Sequence, residues 1–254
     1  MTMNIKDFFR DNNKAALAYS GGVDSTYILH EALSAGADVT AYYVKTDFQP
    51  QYEFEDAMDM AKELKARVKV INLDILAVPE IASNPVNRCY YCKKAIFGAI
   101  LDAAAEDGYS VVLDGTNASD SAEERPGMKA LRELEVRSPL QECGITKAEV
   151  RRRSREAGLK TWDRPAYACL ATRVASGEKI TAAKLSRVED VEDALVRFGL
   201  VDFRVRTLGD IARLEVREAQ AGLVLEHRDA IVEILKRRFD KVVLDLDFRE
   251  EMDI

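Results

Sequence analysis

The sequence predicts an α/β fold, a parallel sheet with helices on both faces, followed by a small C-terminal α+β domain. Three observations carry it. Short apolar runs at 15–19, 39–44, 68–73 and 111–113 alternate with helix-like segments around 24–34, 53–66 and 90–106, the pattern of a parallel sheet built from βαβ units. The hexapeptide Ser20-Gly21-Gly22-Val23-Asp24-Ser25 joins the first apolar run directly to the first helix. Beyond 181 the order changes to a helix (182–198), two strands (203–206 and 212–216), a helix (218–238) and a last strand (242–246). The segment 161–181, with Pro165 and Gly177 and no periodicity, reads as an extended loop between the two parts. The expected division is 1–160, a linker and active-site loop over 161–181, and 182–254. Thr146 followed three residues later by Glu149 has the form of a capping box, opening a helix through Ala157 that Gly158 ends.

Composition narrows the function classes. At 47% hydrophobic and 32% charged, the 254 residues are those of a water-soluble globular chain. No apolar run approaches the roughly 18 residues of a membrane span. The first residues lack a secretory signal, so a cytoplasmic location is expected. There the four cysteines are expected to bind a metal or do redox chemistry rather than form structural disulfides. A net charge of −7 argues against a nonspecific nucleic-acid surface. Between residues 125 and 164 the balance reverses, eleven Lys or Arg against six Asp or Glu, but Glu149 and Glu156 among Arg151, Arg152 and Arg153 predict a solvated helix face of ion pairs.

The hexapeptide has the chemistry of a phosphate cradle. Gly21 and Gly22 let the backbone turn tightly, while the N–H groups and dipole of the following helix face an anion. Ser20 and Ser25 add hydroxyls. A Walker A loop needs Lys before its final Ser or Thr, and Asp24 stands there. Ligands of such folds bind beyond the carboxyl ends of the strands, which places the loop, Asp114-Gly115-Thr116-Asn117 and the end of the second strand along one crevice. These residues resemble the PP-loop of the ATP pyrophosphatases. The resemblance implies ATP held at Ser20, Gly21, Gly22, Val23, Asp24 and Ser25, Mg²⁺ bridging its phosphates, and attack at the α-phosphorus with pyrophosphate as leaving group.

Cys89-Tyr90-Tyr91-Cys92, followed by Lys93 and Lys94, presents two thiols at a spacing that grips one metal or cluster edge, and it equally permits a persulfide or disulfide relay. His30 and His227, the only histidines, are poor candidates to complete a zinc site. Cys143 reads as a small buried residue. Cys169, in the irregular loop, stands where functional residues gather.

With Leu113-Asp114-Gly115-Thr116-Asn117, Arg125-Pro126-Gly127, Arg137-Ser138-Pro139-Leu140, the segment 162–173, Arg204-Val205-Arg206 and residues 210–215 added, nearly the whole chain resembles the LarE-type sulfur transferases. These are PP-loop synthases that sulfurate a pyridinium biscarboxylic acid mononucleotide during assembly of the nickel-pincer cofactor of lactate racemase. The resemblance implies that Cys169 matches the cysteine whose sulfur is surrendered in members that have only that one. Cys89 and Cys92 depart from those members and resemble the branch in which three cysteines, here Cys89, Cys92 and Cys169, hold a [4Fe-4S] cluster. Lys93 is then expected to stabilise charge in the adenylation step, Gly115, Thr116 and Asn117 to contact the nucleotide, and Arg204 and Arg206, with Arg173 as a third candidate, to bind the substrate phosphate. Glu192, with Glu215 as partner, is the expected cation site of the small domain. The implied partners are a small-molecule mononucleotide and a sulfide or sulfur donor, with no stable nucleic acid, no membrane and a homo-oligomer, a hexamer among the states allowed.

Two rival readings share parts of this pattern. A PP-loop tRNA thiolase can use a cluster held by three cysteines, but calls for a broad basic face and an RNA-binding appendage, against an acidic chain with a single cysteine pair. A non-catalytic ATP or redox sensor would bind ATP without releasing pyrophosphate.

Overall fold

The computed structural model describes residues 3–120, 126–165 and 167–249; Arg125 and Ala166 of the motifs above lie outside them. The chain forms two compact units, one of Met1–Ile75 with Asn87–Ala166 and one of Leu76–Val86 with Tyr167–Ile254. The second unit therefore takes in a short segment, 76–86, that the sequence reading left within the first.

The first unit runs α1 (Ile5–Asp11), β1 (Lys14–Ala18), α2 (Val23–Ser34), β2 (Asp38–Lys45), α3 (Gln51–Glu63) and β3 (Arg67–Asn72). The chain then passes through α4 (Pro79–Ala82), which belongs to the second unit, before α5 (Arg88–Glu106), β4 (Val112–Leu113), α6 (Pro126–Glu133), α7 (Pro139–Glu142) and α8 (Lys147–Glu156). All four strands pair in parallel in the order β3-β2-β1-β4. Alternate side chains of β1 serve two cores, because successive residues of a strand face opposite sides. Ala15 and Leu17 pack with Phe8, Phe9, Ile28 and Val150 from α1, α2 and α8, while Ala16 packs with Phe97, Ile100 and Leu131 from α5 and α6. The sheet is thus covered on both faces, as expected.

Strand order reverses between β1 and β4, and this is the switch point where open parallel sheets place ligands. Gly21, at the turn after β1, has φ +74°, and a Cβ there would lie 2.5 Å from the Cβ of Ala57 on α3. Only glycine fits both the backbone and the space. The capping box is present in part: Thr146 Oγ1 accepts from the Glu149 amide at 3.3 Å, and Gly158, at φ +72°, follows the helix end. The arginines of α8 form the expected ion-paired face, Arg152 with Glu149 and Glu156, and Arg153 with Glu149.

The second unit holds a 3-10 turn (Leu170–Arg173), α9 (Ala182–Val196), β5 (Arg204–Leu208), β6 (Ile211–Glu215), α10 (Ala221–Glu226), α11 (Arg228–Lys236) and β7 (Lys241–Leu244). Strand order is β5-β6-β7, the first pair antiparallel and the second parallel. The helix expected over 218–238 is broken: its first turn is 3-10, and α10 and α11 meet at His227, whose ring sits 5.2 Å from that of Phe198. Asn84, buried at φ +55°, ties the early segment into this unit. Its side chain donates to the carbonyls of Val174 at 3.3 Å and Ala175 at 2.7 Å, and its carbonyl accepts from the Gly177 amide at 2.7 Å. No helix among the described residues is long and apolar enough to cross a membrane.

Candidate active site

In the first unit a cleft of about 620 Å³ opens at the switch point. Its floor is the glycine-rich loop. Gly22 caps α2 without any side-chain acceptor, so the amides of Val23, Asp24 and Ser25 open the helix with no partner from a preceding turn. Ser20 and Ser25 hold the loop's shape, their hydroxyls 3.2 Å apart, and Ser25 Oγ donates back to the Gly22 carbonyl at 3.3 Å. Gly115 backs the loop, since a Cβ there would come within 3.4 Å of Asp24 Cβ.

The cleft's polar end is built on Asp114, 3% exposed at the end of β4. Its carboxylate accepts from Ser138 Oγ at 2.6 Å, from the Thr116 amide at 3.2 Å and from the Thr116 hydroxyl. Lys93 Nζ lies 4.0 Å away, its stem against a Gly127 that leaves room for it. Asn117, 4% exposed, donates to Asp24 Oδ1 at 3.4 Å, and Lys147 Nζ donates to Asp24 Oδ2. Burial pushes the Asp24 carboxyl up, and the Lys147 ammonium opposes that shift. The carboxylate of Asp24 and the hydroxyl of Ser25 are hard oxygen donors of the kind Mg²⁺ takes, and they fit an ion between loop and phosphates.

The other walls are largely apolar, lined by Tyr19, Tyr42, Tyr43 and Val44 at the strand ends and by Ile96, Phe97 and Ile100 of α5. Burial lifts the Tyr19 and Tyr43 phenols to about 12, so both stay neutral. The sequence reading placed the end of the second strand here but missed the α5 side, whose signal was the spacing of 96, 97 and 100 on one helix face. Lys147 also escaped, counted there only within a capping box.

Cys89 lies in the first turn of α5 and lines the same cleft, with Cys92 one turn further on. Spacing of three residues puts both thiols on one side of the helix. None of the four cysteines forms a disulfide. Cys143 is buried, as expected, and burial raises its thiol. Cys89 and Cys92 belong to the first unit and Cys169 to the second. Among the described residues no three His, Cys, Asp or Glu side chains are gathered as a ligand set for a metal ion. Two of the three expected thiols thus come from a single helical turn, which suits one edge of a cluster.

In the second unit Cys169 caps the 3-10 turn, its carbonyl accepting from the Thr172 amide and hydroxyl, both at 2.9 Å. Arg173, the third candidate for the substrate phosphate, is buried. At 2% exposed, its guanidinium is engaged by Glu192 through two hydrogen bonds of 3.0 Å and donates to the Ala168 carbonyl at 2.5 Å. It braces the loop around Cys169. Glu192, besides holding Arg173, accepts from the Val205 amide at 2.7 Å. Glu215 pairs with Arg206 at 2.6 Å and with Arg213 at 2.8 Å.

Arg204 and Arg206 share one face of β5, as alternation requires. Arg206 also donates to the Thr172 carbonyl at 2.6 Å. The Arg204 guanidinium has no hydrogen bond or ion pair among the described residues, its backbone pairing with Glu215 in the sheet. Burial, then the charges of Arg249, Arg173 and Arg206, weaken its hold on its proton. An anion would relieve that crowding.

No family model matches the chain. Individual proteins do. It is 38% identical over 218 residues, 85% of this chain and 81% of the other, to an uncharacterised protein of Synechocystis. A tRNA-specific 2-thiouridylase of Fervidobacterium nodosum is 29% identical over 40% of the chain and 36% of its own length. The pyridinium-3,5-bisthiocarboxylic acid mononucleotide synthase of Lactiplantibacillus plantarum is 37% identical over 240 residues, covering 93% of this chain and 87% of that one. A glycine-rich loop at the switch point of a parallel sheet, carried in a chain aligned over nearly its whole length with that synthase, makes this protein a member of the LarE-type synthase family within the PP-loop ATP pyrophosphatases.

Proposed function

We propose that the protein is an ATP-dependent sulfur transferase. It adenylates a carboxylate of a pyridinium biscarboxylic acid mononucleotide, releases pyrophosphate and converts the acyl adenylate to a thiocarboxylate with loss of AMP. The observation that carries this reading is the intact loop in its cleft, taken with the relation to a bisthiocarboxylic acid mononucleotide synthase. The loop amides and the hydroxyls of Ser20 and Ser25 cradle the phosphates. Asp24 and Ser25 would supply oxygens to Mg²⁺, which when bound would offset the charge developing on the leaving pyrophosphate. Lys93, steadied by Asp114, stabilises charge at the α-phosphorus, and the aromatic wall excludes water from the nucleotide. Arg204 takes the substrate phosphate, with Arg206 held beside it by Glu215. Arg204→Ala is expected to raise the KM for the mononucleotide about tenfold or more, as loss of a charge-assisted hydrogen bond does, with ATP binding unchanged. Steady-state kinetics varying each substrate in turn reads the two effects separately.

The sulfur is proposed to pass through a [4Fe-4S] cluster held by Cys89, Cys92 and Cys169. Such a cluster supplies one iron without a protein ligand, open to exogenous sulfide. Anaerobic iron and sulfide analysis with EPR spectra tests the ligand set. Wild type and Cys143→Ala are expected to hold a cluster that Cys89→Ala, Cys92→Ala and Cys169→Ala each lose. A reconstituted wild type without iron would leave Cys169 as a donor spent after one transfer. Pyrophosphate release dependent on the mononucleotide tests the activity itself, and release prompted by tRNA instead would overturn the substrate assignment.

A further inference from the structure

The turn that follows β2 holds one polar side chain of the cleft in a single orientation. Gln49 lines the cleft, half-buried, and Pro50 after it opens α3. Its Oε1 accepts twice from Thr46, from the backbone amide at 3.1 Å and from the hydroxyl at 2.7 Å. The Thr46 hydroxyl in turn accepts from the Phe48 amide at 3.1 Å, which leaves its proton for Gln49. A backbone amide can only donate, so it fixes which end of the Gln49 carboxamide is oxygen. Nε2 is left on the other side, with two N–H donors and no hydrogen bond among the described residues. Glu53 of α3 lines the same cleft and brings carboxyl oxygens, which accept. A base lying on the apolar wall thus meets a donor and an acceptor. They complement the N1 acceptor and the 6-amino group of adenine, whereas hypoxanthine and guanine reverse both, with N–H at position 1 and oxygen at position 6.

We propose that Gln49 is a specificity residue for the nucleoside triphosphate: its Nε2 donates to N1 of adenine, so the cleft selects ATP against triphosphates whose base carries a hydrogen there. The inference rests on the reading of the cleft as an ATP site. Thr46 and the Phe48 amide act through Gln49, holding the carboxamide so that the donor cannot be exchanged for the oxygen by rotation. A glutamine that only closed the turn would be indifferent to the base, because its work would end at Oε1.

Calorimetry of the intact protein with the magnesium complexes of ATP, 1-deaza-ATP, ITP and pyrophosphate tests the assignment. Wild type is expected to bind 1-deaza-ATP, which has C–H in place of N1, and ITP about tenfold more weakly than ATP, the loss of one hydrogen bond. Gln49→Glu keeps an oxygen for Thr46 and turns the outward donor into an acceptor. It should weaken ATP about tenfold relative to ITP, so that the preference between the two disappears or reverses. The added charge acts on both nucleotides alike, and their ratio therefore reads the contact with the base. Gln49→Leu should bind ATP and 1-deaza-ATP equally, since the donor that told them apart is gone. If neither variant folds, the wild-type comparison of ATP with 1-deaza-ATP decides alone. Equal binding of those two by wild type, or a wild-type preference for ATP over ITP in Gln49→Glu, would overturn the proposal. A wild type that binds neither magnesium pyrophosphate nor any of the nucleotides would overturn the reading of the cleft as an ATP site instead, and the role of Gln49 with it.

Discussion

Replacing Gly21 with alanine is expected to destabilise the first unit and abolish measurable nucleotide binding, whereas the same change at Gly22 should leave the fold nearly intact. The two glycines are neighbours in the same loop, so composition alone gives no reason for the difference. At Gly21 the backbone is left-handed, which costs an L-residue about 1–2 kcal/mol. The new methyl would also overlap the Cβ and Cα of Ala57, at 2.5 and 2.8 Å, and overpacking of that kind costs about 1–3 kcal/mol more. Neither neighbour is a flexible side chain, so relief requires the loop to leave α3, and the phosphate cradle moves with it. At Gly22 φ is −72° and the nearest atom to a new Cβ, Ser20 Oγ, is at 3.4 Å. Thermal denaturation with calorimetry of Mg·ATP binding measures both effects. A Gly21→Ala protein that melts and binds as wild type would show that the loop does not need its tight seat on α3.

Loss of the Arg173 guanidinium is the second large effect. Removing one partner of a buried ion pair leaves the other charge without compensation and costs about 3–5 kcal/mol. Arg173→Gln should therefore lower the melting temperature of the second unit by about 10 °C or more. Glu192→Gln should do less harm than Glu192→Leu, because an amide oxygen can still accept from the Val205 amide that the carboxylate now serves. The paired exchange Arg173→Met with Glu192→Gln should recover part of the loss, since no lone charge remains buried. The Ala168 carbonyl loses its donor in Arg173→Gln, so alkylation of Cys169 is expected to quicken as its loop loosens. An Arg173→Gln variant with unchanged melting and labelling would mean that Glu192 finds a substitute partner.

The contrast between these sites tracks what a sequence can disclose. The strand, loop and helix around residues 15–34 were legible because every signal is local: an apolar run, two glycines, hydroxyls and a helical period. The cap of α8 was legible for the same reason, as was the pairing of its arginines with Glu149 and Glu156. The burial and pairing of Arg173 were not legible because its partner stands 19 residues away on α9, and an arginine's exposure is not written in its neighbours. Lys147 was passed over because its contact with Asp24 spans 123 residues. The short helices α1, α6 and α7 give too few residues for periodicity to stand out. The break at His227 went unseen because no proline or glycine marks it.

The small segment anchored by Asn84 has a consequence for how the protein is made. Its partners, the carbonyls of Val174 and Ala175, are 90 and 91 residues further along the chain. During synthesis the second unit has to wait, with an early piece of itself already outside the ribosome, until everything between has emerged. Its closure depends on a long loop that is cheapest to bring together once the intervening residues have condensed into the parallel sheet and its helices. Condensation of the phosphate-binding half therefore lowers the cost of closing the half that carries Cys169. A gene cut at the boundary near residue 166 would yield one piece with a stray strap and another with a missing one.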